Sequence, residues 1–249
     1  MEPLGVAVVI PVLNEAASIA AVITEIPRDV VHEIIVVDGG SSDGTARIAA
    51  AAGARVIALG ERGYGRACRA GGATATVDCG IIAFMDGDGA DRGDLIARIV
   101  EPIRRDEYDF VIASRARGER ETGSMAWHQL LAGHLAGIGT RLLYGVRYTD
   151  MSAYRAIRRD RLDRLGMREM TYGWNIEMQM KAARSGLRIL EVSMPYRRRS
   201  GGESKVAGTV RGSLCAAWRI IGAFLRVAAS RPCPQPHQPS SGQRDAGMT

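Results

Sequence analysis

Stapling and metal-cage chemistry have little to work with in this 249-residue chain. The four cysteines (Cys68, Cys79, Cys215, Cys233) form no CxxC pair, and the four histidines show no HExxH spacing. A disulfide framework and a zinc site are both disfavoured, and a reducing, cytoplasmic setting is expected. Aromatic residues make up 5% of the chain with no aromatic–basic interleaving, which argues against nucleic acid as a partner. The opening "MEPLGVAVVIPVLNE" has an acid at position 2, no basic stretch and an apolar run cut short by proline, so it does not read as a secretory signal. Uninterrupted apolar runs of spanning length are missing as well. Residues 206–229 are long enough to cross a bilayer, but Arg211, Arg219 and Arg226 interrupt them, each costly at mid-depth.

Lysine is nearly absent, with Lys181 and Lys205 alone among 33 basic residues. The net charge of +6 is unevenly placed: residues 141–231 hold 19 basic against 7 acidic side chains, and the rest holds 14 against 20. A basic half is either a solvated surface or a surface for phosphates or anionic lipid, and arginine suits forked phosphate contacts.

The runs "VAVVI" (6–10), "EIIVVD" (33–38), "RVIAL" (55–59), "GIIAFMD" (80–86) and "DFVIAS" (109–114) are continuous and rich in β-branched residues. Strands buried on both faces of a parallel sheet have this character. Helical stretches fall between them, near 16–26, 44–52, 65–77 and 92–106. The alternation predicts an α/β, doubly wound, mostly parallel sheet, whose ligands bind beyond the carboxyl ends of the strands. Further helices are expected at 126–144, 159–165 and 174–185, and a strand at 187–196. We divide the chain into a catalytic domain over 1–205, a helix over 206–230 and a disordered, proline-rich tail over 231–249. In the helix the three arginines share one side, opposite Val210, Leu214, Ile221 and Leu225. That apolar side either lies on a membrane surface, packs on the protein's own core, or meets a second subunit of a homo-oligomer.

The polar motifs sit at predicted strand ends. In "FMDGDGAD" (84–91), side chains two apart in an extended segment project the same way. Asp86 and Asp88 can thus offer two oxygens to one hard cation, Mg²⁺ or Mn²⁺, and Gly87 leaves room for a ligand to approach the backbone. Such an ion typically bridges a diphosphate. Asp91 is either a third ligand or the cap of the following helix. In "VIPVLNEAASI", Pro11 fixes the chain exit, Asn14 caps a helix and Glu15 enters its first turn. In "VVDGGSSDGT", Asp38 can accept hydrogen bonds from a base or ribose. In "GERGYGRACRAGG", Gly63, Gly65 and Arg66 can lie against phosphate at a helix N-terminus. A dinucleotide fingerprint would belong after the first strand, where the chain instead reads "PVLNEAAS".

Together with "ASR" (113–115), "TDMSAYRAI" (149–157), "GWNIEMQMKA" (173–182) and "RRRSGGESK" (197–205), these pieces resemble the family 2 glycosyltransferases of GT-A fold over about residues 5–206. The likeness is strongest to dolichyl-phosphate mannose synthases and related polyprenyl-phosphate sugar transferases. It implies a hexosyltransferase with a UDP- or GDP-hexose donor. Pro11, Leu13, Glu15 and Asp38 would cradle the nucleoside, with Gly65 and Gly87 nearby, and Asp86, Asp88 and Asp91 would hold metal and diphosphate. Ala90 stands where the mannose synthases carry glutamine, so Asp91 or water must complete the coordination.

The resemblance also implies a polyprenyl-phosphate acceptor, hence an enzyme peripheral on the inner face of the cell membrane. Arg197, Arg199, Ser204 and Lys205 would grip phosphate. Asp88 and Arg115 would act at the reaction centre, unless Arg115 serves a salt bridge to a nearby acid. A phosphate acceptor needs no general base, whereas a hydroxyl of a soluble or saccharide acceptor does. Glu177, or an acid of the 86–91 cluster, is then the candidate base, unless Glu177 is an ordinary helix position or a partner for Arg155.

Overall fold

The structure, a computed structural model, describes residues 4–121, 124, 127–200 and 210–230, with side chains of the two later helices described from 133 and 217. Seven strands form one sheet: β1 (Gly5–Val12), β2 (Glu33–Asp38), β3 (Arg55–Ala58), β4 (Cys79–Phe84), β5 (Phe110–Ser114), β6 (Arg155–Arg158) and β7 (Ile189–Ser193). The spatial order is β3-β2-β1-β4-β6-β5-β7. β1 pairs in parallel with both β2 and β4, β2 with β3, and β5 with β7. Only β6 runs antiparallel, between β4 and β5. Every other strand therefore points its carboxyl end to the same edge.

The helices are α1 (Ile19–Glu25), α2 (Thr45–Ala51), α3 (Tyr64–Thr74), α4 (Ala97–Arg104), α5 (Trp127–Tyr144), α6 (Arg159–Leu165), α7 (Trp174–Arg184) and α8 (Val210–Ala229). Alternate residues of β1 separate two cores, as the two-residue period of a strand requires. Val6, Val8, Ile10 and Val12 pack with Ile19 and Ile23 of α1 and Ile99 and Ile103 of α4. Ala7 and Val9 face the other way, toward Ala67 of α3, Leu162 of α6 and Trp174 and Met178 of α7. Helices on both faces explain why β1 and β2 are apolar at nearly every position.

Three expectations need correction. β3 is an edge strand, half-exposed along its length rather than buried on both faces. β6 was hidden: "RAIR" is four residues long with arginine at each end, so no apolar run marks it. Its Arg155 is nonetheless fully buried, with its guanidinium donating to the carbonyls of Ser152 and Asn175 and lying 5.9 Å from the centre of the Phe110 ring. Finally, β4 ends at Phe84, so Asp86 and Asp88 lie in the loop beyond it, Asp88 within its turn, and not on the strand itself.

Candidate active site

The loops that follow β1, β2, β4, β5 and β7 meet at one edge of the sheet. After β1, the chain reaches Asn14 in a left-handed conformation (φ 53°), which asparagine tolerates. The Asn14 N–H donates to Ser41 Oγ (2.8 Å), the Ser42 N–H to Asn14 Oδ1 (2.9 Å), and the Glu15 N–H to Thr45 Oγ1 (2.9 Å). These bonds lace the first loop to the second. Asn14 is thus no helix cap. α1 begins at Ile19, and Ser18 before it donates its hydroxyl to the Gly87 carbonyl (2.7 Å). Pro11 and Leu13 are half-buried on this loop and Glu15 is buried. At the end of β2, buried Asp38 accepts from the Ser41 N–H and hydroxyl.

The loop after β4 holds the carboxylates. Asp88 Oδ1 accepts from the Ala90 N–H (2.9 Å), and Asp91 Oδ2 accepts from the Asp86 N–H (3.2 Å). Gly89, at φ 81°, makes the turn. Burial is the main force that raises the carboxyls of Asp86, to about 7, and Asp91, to about 8, with the negative charge of Asp88 adding in both cases. Among the described residues, the charges of Arg115 and Arg199 oppose that rise at Asp86, and Arg197 Nη2 donates to the Asp91 carbonyl (3.3 Å).

Arg199, from the segment after β7, bridges two loops: Nη2 lies 3.2 Å from Glu15 Oε1, and Nε lies 3.2 Å from Asp88 Oδ2. Its segment is stitched over the carboxylates, the Arg197 N–H donating to the Ala90 carbonyl (3.0 Å) and the Ser200 N–H to the Asp88 carbonyl (2.9 Å). Gly89 makes that approach possible, since a Cβ there would stand 2.6 Å from Ser200 Oγ. Arg197 turns to Glu25 (2.6 Å). Ser204 and Lys205 lie outside the described residues.

Arg115 follows β5 and forks onto buried Asp150, Nε to Oδ2 at 2.7 Å and Nη2 to Oδ1 at 2.8 Å. Its guanidinium also stacks 5.1 Å from the centre of the Tyr196 ring. The pair keeps Arg115 charged and holds the Asp150 carboxyl below its ordinary value against the opposing effect of burial. The salt-bridge alternative is the one observed, although the field of Arg115 still reaches Asp86 and Asp91 and lowers both.

Three expected site residues have other work. Glu177 is buried on α7 and is not brought together with the carboxylates. It accepts from the N–H groups of Arg168 (3.1 Å) and Glu169 (2.7 Å) and pairs with Lys181 (2.8 Å), not with Arg155. The loop it secures reaches the start of α3, where the Met170 carbonyl accepts from the Arg66 N–H (3.0 Å). Gly65 belongs to that contact, because a Cβ on it would stand 2.3 Å from the Glu169 carbonyl oxygen. Gly87 packs on β1, where a Cβ would meet Val12 Cγ1 at 2.7 Å. Asp150, the partner of Arg115, is not singled out by the sequence reading; the signal for it is its place in "TDMSAYRAI".

Among the described residues no three His, Cys, Asp or Glu side chains form a ready-made metal cage. Any ion at Asp86 and Asp88 would need oxygens from a ligand.

The comparisons with known proteins agree with this architecture. The sequence profile described as Glycosyl transferase family 2 matches residues 7–166. An uncharacterised glycosyltransferase of Mycobacterium tuberculosis is 35% identical over 228 residues, covering 87% of this chain and 98% of that protein. An undecaprenyl-phosphate mannosyltransferase of Micrococcus luteus is 32% identical over 219 residues, covering 82% and 88%. In structure, the chain is similar to glucosyl-3-phosphoglycerate synthase from Mycobacterium tuberculosis, solved with Mn²⁺, UDP-glucose and phosphoglyceric acid. That likeness has a TM-score of 0.73 at 25% identity and covers 90% of this chain and 79% of the other. By its sequence profile, its parallel sheet and its loop carboxylates, the chain is a member of glycosyl transferase family 2 with the GT-A fold.

Proposed function

We propose that the protein moves a hexose from a UDP- or GDP-linked donor to a polyprenyl-phosphate acceptor, working peripherally on the inner face of the cell membrane. The observation that carries the reading is the buried carboxylate loop spanned by Arg199. Asp86 and Asp88 would hold Mg²⁺ or Mn²⁺ together with donor oxygens, at a place where a side-chain cation already bridges Asp88 to Glu15, while Asp91 Oδ2 is engaged by the Asp86 N–H. The ion would offset the charge that develops on the departing nucleoside diphosphate. Pro11, Leu13, Glu15 and Asp38 border the nucleoside position at the ends of β1 and β2. The Asp86 and Asp91 carboxyls, raised by burial, would release protons as a cation binds.

On the acceptor side, Arg199, Arg197, Ser204 and Lys205 would hold a phosphate. Its oxygen is already anionic, so it attacks the anomeric carbon as the bond from that carbon to the diphosphate oxygen breaks and the diphosphate leaves with the electron pair. The chain then has to align and to stabilise charge, not to remove a proton. Glu177, committed to Lys181 and two backbone donors, is poorly placed to serve as a base, so a hydroxyl acceptor would turn to an acid of the 86–91 cluster instead. The undecaprenyl-phosphate mannosyltransferase relative supports the lipid, while the phosphoglyceric acid in the structural neighbour supports a second reading, a soluble phosphate-bearing acceptor.

The test is transfer of labelled hexose from a panel of UDP- and GDP-sugars with Mn²⁺, offered either a short polyprenyl phosphate or 3-phosphoglycerate. Label in the lipid phase supports the proposal. Label only in the phosphoglycerate product replaces it with the second reading.

A further inference from the structure

Seven of the nine exposed large hydrophobic side chains among the described residues lie on two helices, α5 and α8. On α8 the buried side is Ala223 and Val227, packed with Ile176 and Met180 of α7. The side expected from sequence to be covered, Ile221 and Leu225, is exposed together with Trp218 (73% exposed). On α5, Leu135, Ile138 and Leu142 (81% exposed) form a stripe at spacings of three and four residues.

The two stripes join. α5 and α8 approach where Phe224 lies against Gly139, at which a Cβ would stand 2.6 Å from the ring. At 100° per residue, Leu135 and Leu142 fall beside Gly139 on the outer side, and Ile221 falls beside Phe224 on the outer side. Beyond the stripes come Arg141 on α5 and Arg219 and Arg226 on α8, all exposed. No acidic residue occurs between Glu121 and Asp150, nor between Glu203 and Asp245.

We propose that α5 and α8 form a single platform that seats on an anionic lipid bilayer, its apolar stripes among the acyl-chain ends and its arginine rims at the headgroups. This deepens the membrane setting proposed above and rests on it, adding α5 as half of the contact. The charge pattern selects the occupant. Arg226 is paired with Glu169, but Arg141 and Arg219 leave the rim positive, so two copies meeting face to face would oppose like charges, whereas anionic headgroups complement them. No described helix is long and apolar enough to cross a membrane, so the platform lies on the surface.

The experiment is flotation of the full-length protein with phosphatidylcholine vesicles, with and without phosphatidylglycerol, in the absence of any sugar donor. The expected result is binding that depends on phosphatidylglycerol and weakens roughly tenfold in Leu142→Ser and in Trp218→Ser, each keeping the wild-type melting temperature. Asp88→Asn should bind vesicles as wild type does, so loss of sugar transfer and loss of membrane binding are read separately. Vesicle binding untouched by Leu142→Ser overturns the proposal. So does a concentration-dependent dimer, seen by light scattering, that the same substitution dissociates.

Discussion

Asp88 is the side chain on which the site's contacts converge: one oxygen secures the turn, the other meets Arg199, and its carbonyl receives Ser200. Asp88→Asn keeps the turn acceptor and removes the charge, so we expect transfer to fall by at least about a hundredfold while the fold survives, a loss typical of removing one stabilising group. Wild-type turnover in that variant would remove Asp88 from the mechanism. Asp91 makes the opposite point. Burying it beside two like charges costs stability, and Asp91→Asn should raise the ligand-free unfolding free energy by about 1 kcal/mol. Thermal melts of the pair check it, and a lower melting temperature contradicts the crowding. Arg115→Met leaves the Asp150 carboxylate buried and unpaired, a loss of about 3–5 kcal/mol by denaturant titration. Because the folded-state pKa of Asp150 lies below its unfolded value of about 3.9, its contribution is complete above that pH and is lost as pH falls through the folded value. Stability should therefore drop with acid more steeply in wild type than in Asp150→Asn. The carboxylates and the arginine run could be read from sequence because charge of one sign at strand ends is costly unless used. Glu177, Gly65 and Gly87 could not, since their partners come from other segments: backbone N–H groups of the preceding loop for Glu177, the Glu169 carbonyl for Gly65 and the Val12 side chain for Gly87.

The strands β1, β2, β4 and β5 announce themselves by apolar runs, and helix bounds follow within a few residues because polar strand ends bracket them. β6 is the exception. It gains its place from pairing on both sides, Ala156 facing Ala83 of β4 and Val111 of β5, and not from its own composition. α3 shows how glycine serves packing here: a Cβ on Gly71 would stand 2.4 Å from Val9 Cγ1 and 3.0 Å from Val37 Cγ2. Overpacking at that contact outweighs the better helix propensity of alanine, so Gly71→Ala should cost about 1–3 kcal/mol in urea unfolding. A stabilised variant would mean that α3 can slide on the sheet at little cost.

Across the whole molecule the acidic first half builds the cleft floor and the basic second half closes over it, joined by Arg199 and Arg197. An incoming donor with its ion must compete with Arg199 for Glu15 and Asp88, so the complex is tested best by binding itself. Calorimetric titration of UDP- and GDP-sugars, with Mn²⁺ and with chelator, should give heat for at least one donor in the presence of Mn²⁺. That heat should vanish with chelator and in Asp88→Asn. Donor binding that keeps the affinity of wild type with Mn²⁺ both in chelator and in Asp88→Asn would contradict the account.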